Sequence, residues 1–167
     1  HKSLYELPIK PSPNLPDMPS IYWYASTCFF EGTTLSEGRG TPKPFQYIGH
    51  PSMPKNLFSF TPVSTPGAPN PKHKDKVCYG FDLSGTQNDV LNQIDNKVQI
   101  KYLMDAYRLF PDKENFFNKG IDRLAGTDEL AKQIKAGMSE AEIRKSWEPK
   151  LSQFKEIRKR YLMYEDF

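Results

Sequence analysis

No apolar run in this sequence approaches the roughly 18 residues that cross a bilayer, so nothing in it reads as a membrane span. Net charge is nearly absent too. Lys and Arg number 23 against 20 Asp and Glu, leaving +3, and the two signs are interleaved rather than gathered into a basic stripe with stacking aromatics. That argues against nucleic acid as a partner. Cysteine is scarce: Cys28 and Cys78 lie 50 residues apart, neither beside a second Cys or a His at ligand spacing. No metal is therefore expected, while one disulfide or two buried free thiols both remain open. The chain also lacks internal repeats, a Gly-Lys-Ser/Thr phosphate loop and a Gly-x-Ser-x-Gly nucleophile turn. It opens on His1 without an initiator Met or a signal-peptide pattern, and is expected to be a processed form or a piece of a longer protein.

What the chain does contain is aromatic. Phe, Trp and Tyr make up 13% of the 167 residues and hydrophobic residues 37%, enough for one packed domain rather than a disordered one. Proline divides it: thirteen of the fifteen prolines precede residue 72. Proline fixes φ and removes a donor, so the first part is expected to hold short strands and long ordered loops forming a small sheet. Helices are expected to follow and pack on that sheet, which makes the fold α+β. Residues 1–19 read as an extended Pro-rich arm, 20–85 as strands with a candidate site loop, and 86–167 as the helical part.

Within that frame, Tyr22–Phe30 reads as a buried strand, Phe45–Ile48 as a short one, Leu57–Val63 as an edge strand and Val77–Leu83 as a fourth. In the last, Val77, Tyr79, Phe81 and Leu83 share a face. Residues 64–76 read as a surface loop. Ile100, Leu103, Met104, Tyr107 and Phe110 fall at helical spacing, ending at Pro111. A short helix follows Thr127 and closes at Gly137. Ser139 with Glu142 forms a capping box for a last helix, whose stripe of Ile143, Trp147, Leu151, Phe154, Ile157 and Tyr161 reads as core, kinked or broken by Pro149.

The loop after the first expected strand carries the most chemistry. Glu31 to Thr41, EGTTLSEGRGT, places Glu31, Glu37 and Arg39 within nine residues, with hydroxyls on Thr33, Thr34, Ser36 and Thr41 and backbone freedom at Gly32, Gly38 and Gly40. Carboxylates, a guanidinium and hydroxyls suit a polyhydroxylated, anionic ligand such as an acidic sugar. Paired carboxylates also supply acid and base for glycoside hydrolysis. The plain alternative is a polar connector with turn glycines and a local Glu–Arg ion pair. Asn14, in the Pro11-Ser-Pro-Asn14 turn, and His50, after Gly49, are further candidates, while His73 reads as solvated.

The wording of this region resembles one family. The PSPN arm at Pro11 to Asn14, CFFEGTTLSEGRGT at Cys28 to Thr41 and PFQYIGHP at Pro44 to Pro51 look like the C-terminal half of the NamZ-type exo-β-N-acetylmuramidases. DRLAGTDELAKQIKAG (Asp122 to Gly137) and SWEPKLSQFKEIRKRYLMY (Ser146 to Tyr164) look like that family's closing helices. The short Pro-rich stretch Ser52 to Pro71 replaces a helix that many members have, and His50 stands where Ala is common. The resemblance implies a larger two-domain protein that releases N-acetylmuramic acid from non-reducing ends of peptidoglycan fragments without a cofactor. Its N-terminal, Rossmann-like half would carry a principal catalytic Glu, and the site would lie where the halves meet. This chain would then be inactive alone. Glu31 and Glu37 are the implied catalytic residues. Arg39, Asn14, Ser36, Thr33 and His50 would bind substrate, Arg39 by pairing the lactyl carboxylate. The partners implied are a muropeptide or peptidoglycan-derived sugar and the protein's own N-terminal domain. An exported, periplasmic or extracellular location follows from the same resemblance. The alternative function is a non-catalytic sugar-binding or structural support module.

Overall fold

The computed structural model describes residues 4–164, so the first three residues of the expected arm lie outside it. The arm is exposed as far as Pro11, after which a tight turn closes with Leu15 N donating to Ser12 O at 3.0 Å. Helix α1 then covers Met18–Thr27, followed by a 3-10 turn over Cys28–Gly32. The expected strand at Tyr22–Phe30 is thus helical. Asp17 caps α1 by accepting from Ser20 N at 2.9 Å, and Pro19 stands in the first turn, where its missing N–H breaks no helical bond. Trp23, Ser26, Thr27 and Phe30 are all buried, a helical spacing that the aromatic and β-branched composition had masked.

Three short strands follow: β1 (Tyr47–His50), β2 (Phe58–Phe60) and β3 (Cys78–Asp82). They form an antiparallel sheet in the order β1-β3-β2, which with the helices makes the fold α+β. β1 begins later than expected because Phe45 takes a left-handed φ of 63°. Along β3 Cys78 and Gly80 are buried; of the four residues expected to share a face, Leu83 is buried just past the strand, Tyr79 and Phe81 are half-buried against the core, and Val77 is exposed. A glycine pair lets β1 and β3 approach closely. Gly49 of β1 faces Gly80 of β3, and a Cβ on Gly80 would run into the Ile48 carbonyl. Gly80→Ala is therefore expected to lower stability by about 2–3 kcal/mol through backbone displacement. An unchanged urea midpoint would remove this explanation of the strand pairing.

The helical part comprises α2 (Gln87–Ile94), α3 (Lys101–Leu109), α4 (Ile121–Ala125), α5 (Glu129–Lys135) and α6 (Glu140–Lys159). α2, which the apolar pattern did not suggest, starts on a Thr86–Asp89 capping box. α3 buries Leu103 and Met104, with Ile100 and Phe110 buried at its two ends, as the spacing predicts; Tyr107 is half-buried, and Ala106, outside the expected set, is buried as well. α5 has Asp128 at its N-cap position, and Thr127 Oγ1 accepts from Glu129 N at 3.2 Å. α6 starts on the Ser139–Glu142 capping box and runs through Pro149, which removes one helical donor without ending the helix. Its stripe is core only at the start. Ile143 is buried and Trp147 half-buried, but Leu151, Phe154, Ile157 and Tyr161 are 40–78% exposed. Both thiols are free, Cys78 being buried and its pKa pushed up to about 12 by that burial. Among the described residues no helix is long and apolar enough to cross a membrane.

Candidate functional site

The core fixes the site loop at several points. Behind it, Trp23, Phe30, Leu35, Ile48 and Phe116 pack into one apolar cluster. Thr34 N donates to Phe116 O at 2.9 Å, and Ser36 and Gly49 exchange backbone bonds of 2.7 and 3.0 Å, an isolated bridge on the edge of β1 that β3 leaves open. Glu37 follows at once, so its position is set by the sheet rather than by a free loop. Gly38, at φ 78°, then reverses the chain; a side chain there would be strained and would also place Cβ 2.6 Å from Tyr47 O.

The reversal brings Arg39 between two carboxylates. Its Nη1 donates to Glu37 Oε1 at 3.1 Å and its Nη2 to Glu31 Oε2 at 3.2 Å, with the guanidinium over the Phe45 ring at 5.1 Å. Lys72 Nζ lies 3.1 Å from the other Glu37 oxygen. Two carboxylates and two cations thus form a neutral quartet. Its members are unequally placed: the Glu37 side chain is 3% exposed, those of Glu31 and Arg39 26% and 32%. Glu37 and Arg39 open onto a cleft of about 510 Å³, lined also by Asn14, Gly67, Asn70 and Lys72. Asn14 joins the arm to this cleft, its Nδ2 donating to Gly67 O at 2.8 Å. A larger hollow of about 730 Å³ beside α6 is lined by Trp147, Leu151 and Phe154 and has no comparable convergence of charges. The quartet marks the site better than volume does.

The remaining expected residues fall elsewhere. Thr33 and Ser36 are buried and bonded to the loop's own backbone: Thr33 Oγ1 donates to Phe30 O at 2.9 Å, and Ser36 Oγ accepts from Gly38 N at 3.2 Å. They shape the loop. His50 is not among the residues that line the cleft. Its ring packs against His73 and Phe110, with centroids at 4.3 and 4.8 Å, and its Nδ1 accepts from Ser52 N at 2.9 Å. His73, expected to be solvated, is bonded through Nε2 to Thr34 O at 2.7 Å. Lys72 and Asn118 were not anticipated. Asn118 Nδ2 donates to the carbonyls of Glu31 at 3.0 Å and Thr33 at 3.2 Å. Neither residue stands near the loop in sequence, so spacing carries no signal of either.

Burial, aided by the nearby charges of His73 and Lys76, lowers the His50 pKa to about 4 from an ordinary 6.5. The unfolded chain binds the proton more readily, so this contribution to stability is fully present above pH 6.5 and is lost as pH falls toward 4. Its size is on the order of 2 kcal/mol. His50→Phe is expected to lose this share of the acid sensitivity. Parallel stability-versus-pH curves for the two proteins would contradict it.

Residues 22–164 match the family model described as "Exo-beta-N-acetylmuramidase NamZ, C-terminal". The chain is 34% identical to the peptidoglycan beta-N-acetylmuramidase NamZ of Bacillus subtilis (strain 168), over 93% of this chain and 40% of that protein. It superposes with a TM-score of 0.90, at 43% identity, on the crystal structure of a DUF1343 family protein from Bacteroides fragilis NCTC 9343, over 99% of this chain and 46% of that one. The chain spans less than half the length of either relative. With its sheet, its site loop and nearly its whole length accounted for by these matches, the chain belongs to the NamZ C-terminal family.

Proposed function

We propose that this chain forms one wall of a glycoside hydrolase site that removes N-acetylmuramic acid from the non-reducing end of peptidoglycan fragments, the second wall lying on a further domain of a longer protein. The observation that carries this reading is the quartet at the cleft. A buried Glu37 fixes Arg39, and these two line the cleft where a sugar can reach the guanidinium, while Glu31, a quarter exposed, pairs with Arg39 without lining it. Three of the five guanidinium N–H groups are not used by the two ion pairs and are available to an anionic substituent, as the lactyl carboxylate would require.

The geometry divides the roles expected of the two glutamates. Glu31 and Glu37 share one guanidinium instead of facing each other across an open gap. We read this as favouring separate roles over an acid and base that flank one glycosidic bond. Glu31, the more exposed of the two, lies outside the residues that line the cleft and is assigned a substrate-contacting role at its rim. Glu37 orients Arg39, and the other reacting carboxylate is expected on the second domain. Asn14 supplies its side-chain oxygen from the far lip of the cleft. The burial of Thr33, Ser36 and Glu37 is the one observation that favours the support-module alternative.

The test uses the full-length protein and a chromogenic N-acetylmuramic acid glycoside. Glu31→Gln keeps the shape and one hydrogen-bond acceptor but removes the charge, and is expected to lower kcat/KM about 100-fold. Turnover equal to wild type would leave the support module as the surviving function. Export, which the same reading implies, is checked by fractionating cells and locating the protein.

A further inference from the structure

One ammonium group has no counterpart in the sequence reading of this site. Lys72 Nζ sits 3.0 Å from each of the Phe30, Thr33 and Leu35 carbonyl oxygens and 3.5 Å from that of Glu31. An ammonium has three N–H groups, and three carbonyls at ordinary distance take them all. Glu37 Oε2, 3.1 Å away, thus feels the charge but receives no hydrogen bond; among the described residues this buried oxygen has no donor. Lys113 makes a superficially similar cage with the carbonyls of Tyr107, Arg108 and Phe110. That cage ends a helix and contains no carboxylate, whereas the Lys72 cage is made by the site loop itself.

Charge counting shows what Lys72 adds. Without it, Arg39 would be the sole cation for two carboxylates, and the cluster would carry a net negative charge facing the cleft. With it, Glu37 is balanced on its second oxygen, and Arg39 is left less completely neutralised. We infer that Lys72 is a positioning residue of this site: an internal cation that shares Glu37 with Arg39 and so keeps the cleft attractive to an anionic sugar. Residues 67–72 line the cleft together with Glu37 and Arg39, so the same contact ties that segment to the site loop. The inference rests on the reading that the cleft takes an acidic amino sugar.

The test measures inhibition constants of N-acetylmuramic acid and N-acetylglucosamine against the full-length protein; these sugars differ by the lactyl ether group that carries the carboxylate. Lys72→Met keeps the length of the side chain and removes the charge. It is expected to reduce the preference for the acidic sugar about tenfold. Adding Glu37→Gln, which removes the carboxylate Lys72 balances, is expected to bring the preference back to within about threefold of wild type. An unchanged preference in Lys72→Met overturns the inference. So does a preference that stays lost in the double variant, because a cage that merely holds the loop is not repaired by neutralising Glu37. If Lys72→Met fails to fold, Glu37→Gln alone decides: with Lys72 and Arg39 then facing Glu31 only, the preference for the acidic sugar is expected to rise, and an unchanged or lower preference overturns the inference. A wild-type protein with no preference for the acidic sugar would refute the substrate reading instead, and so is distinguishable.

Discussion

Replacing Arg39 by Ala is expected to lower kcat/KM of the full-length protein on an N-acetylmuramic acid glycoside by about 1000-fold. Two losses combine. The donor proposed to meet the lactyl carboxylate goes, and removing one preorganised donor of this type costs on the order of 100- to 1000-fold. Glu31 and Glu37, now held by one guanidinium at 3.2 and 3.1 Å, would also lose the cation between them. Glu37 is only 2% exposed and cannot turn to water, so it would retain Lys72 alone. Arg39→Lys is the informative companion. A single ammonium cannot fork between two carboxylates, so most of the activity should still be lost although the charge is kept. Thermal unfolding run beside the kinetics separates the site effect from a general one. Arg39→Ala opens no core cavity but leaves the buried Glu37 short of a partner, so the melting temperature should fall as well, whereas Arg39→Lys, which keeps a cation beside Glu37, should lose activity with a much smaller fall. Activity in Arg39→Lys equal to wild type would show that charge alone suffices and that the fork is irrelevant.

Trp23→Ala is the largest stability effect expected. The indole is fully buried in the cluster beneath the site, edge-on to Tyr102 at a centroid distance of 5.5 Å, and its Nε1 donates to Leu83 O at 2.8 Å. That bond ties α1 to the residue following β3 and so links the helix that precedes the site loop to the sheet that positions it. Truncation removes the ring contacts and leaves a cavity, at a cost of about 3–5 kcal/mol. Trp23→Phe separates packing from the hydrogen bond. Much of the volume returns, the Leu83 carbonyl stays unpartnered, and the loss should be about 1–3 kcal/mol. Urea unfolding followed by far-UV circular dichroism measures both. Equal losses in the two variants would assign the whole effect to the hydrogen bond.

What could be read from the sequence was what depends on neighbours in the chain. The α3 periodicity, the Ser139–Glu142 cap and the Glu31–Arg39 pairing each lie within a few turns or one loop, and all are present. The α+β class also follows from where proline is dense and where it is absent. α1 was missed for the opposite reason. Its composition favours a strand, but Asp17 and Pro19 form a helix start, and burial at Trp23, Ser26, Thr27 and Phe30 needs the helical period. The exposed half of the α6 stripe shows that apolar spacing states which face is sticky, not whether anything within this chain covers it. The site divided along the same line. Glu31, Glu37 and Arg39 were visible because one loop carries them. Lys72 and Asn118 were not, because 41 and 87 positions separate them from Glu31 in the chain, and only folding brings them to it.

The most direct test of the central claim is a crystal structure of the full-length protein, as the Glu31→Gln variant, with a disaccharide ending in N-acetylmuramic acid at its non-reducing end. The account predicts that sugar in the cleft between Asn14 and Arg39, its lactyl carboxylate within hydrogen-bond distance of the Arg39 guanidinium, and a carboxylate of another domain on its far side. A sugar bound with no contact to residues 31–41 would contradict it.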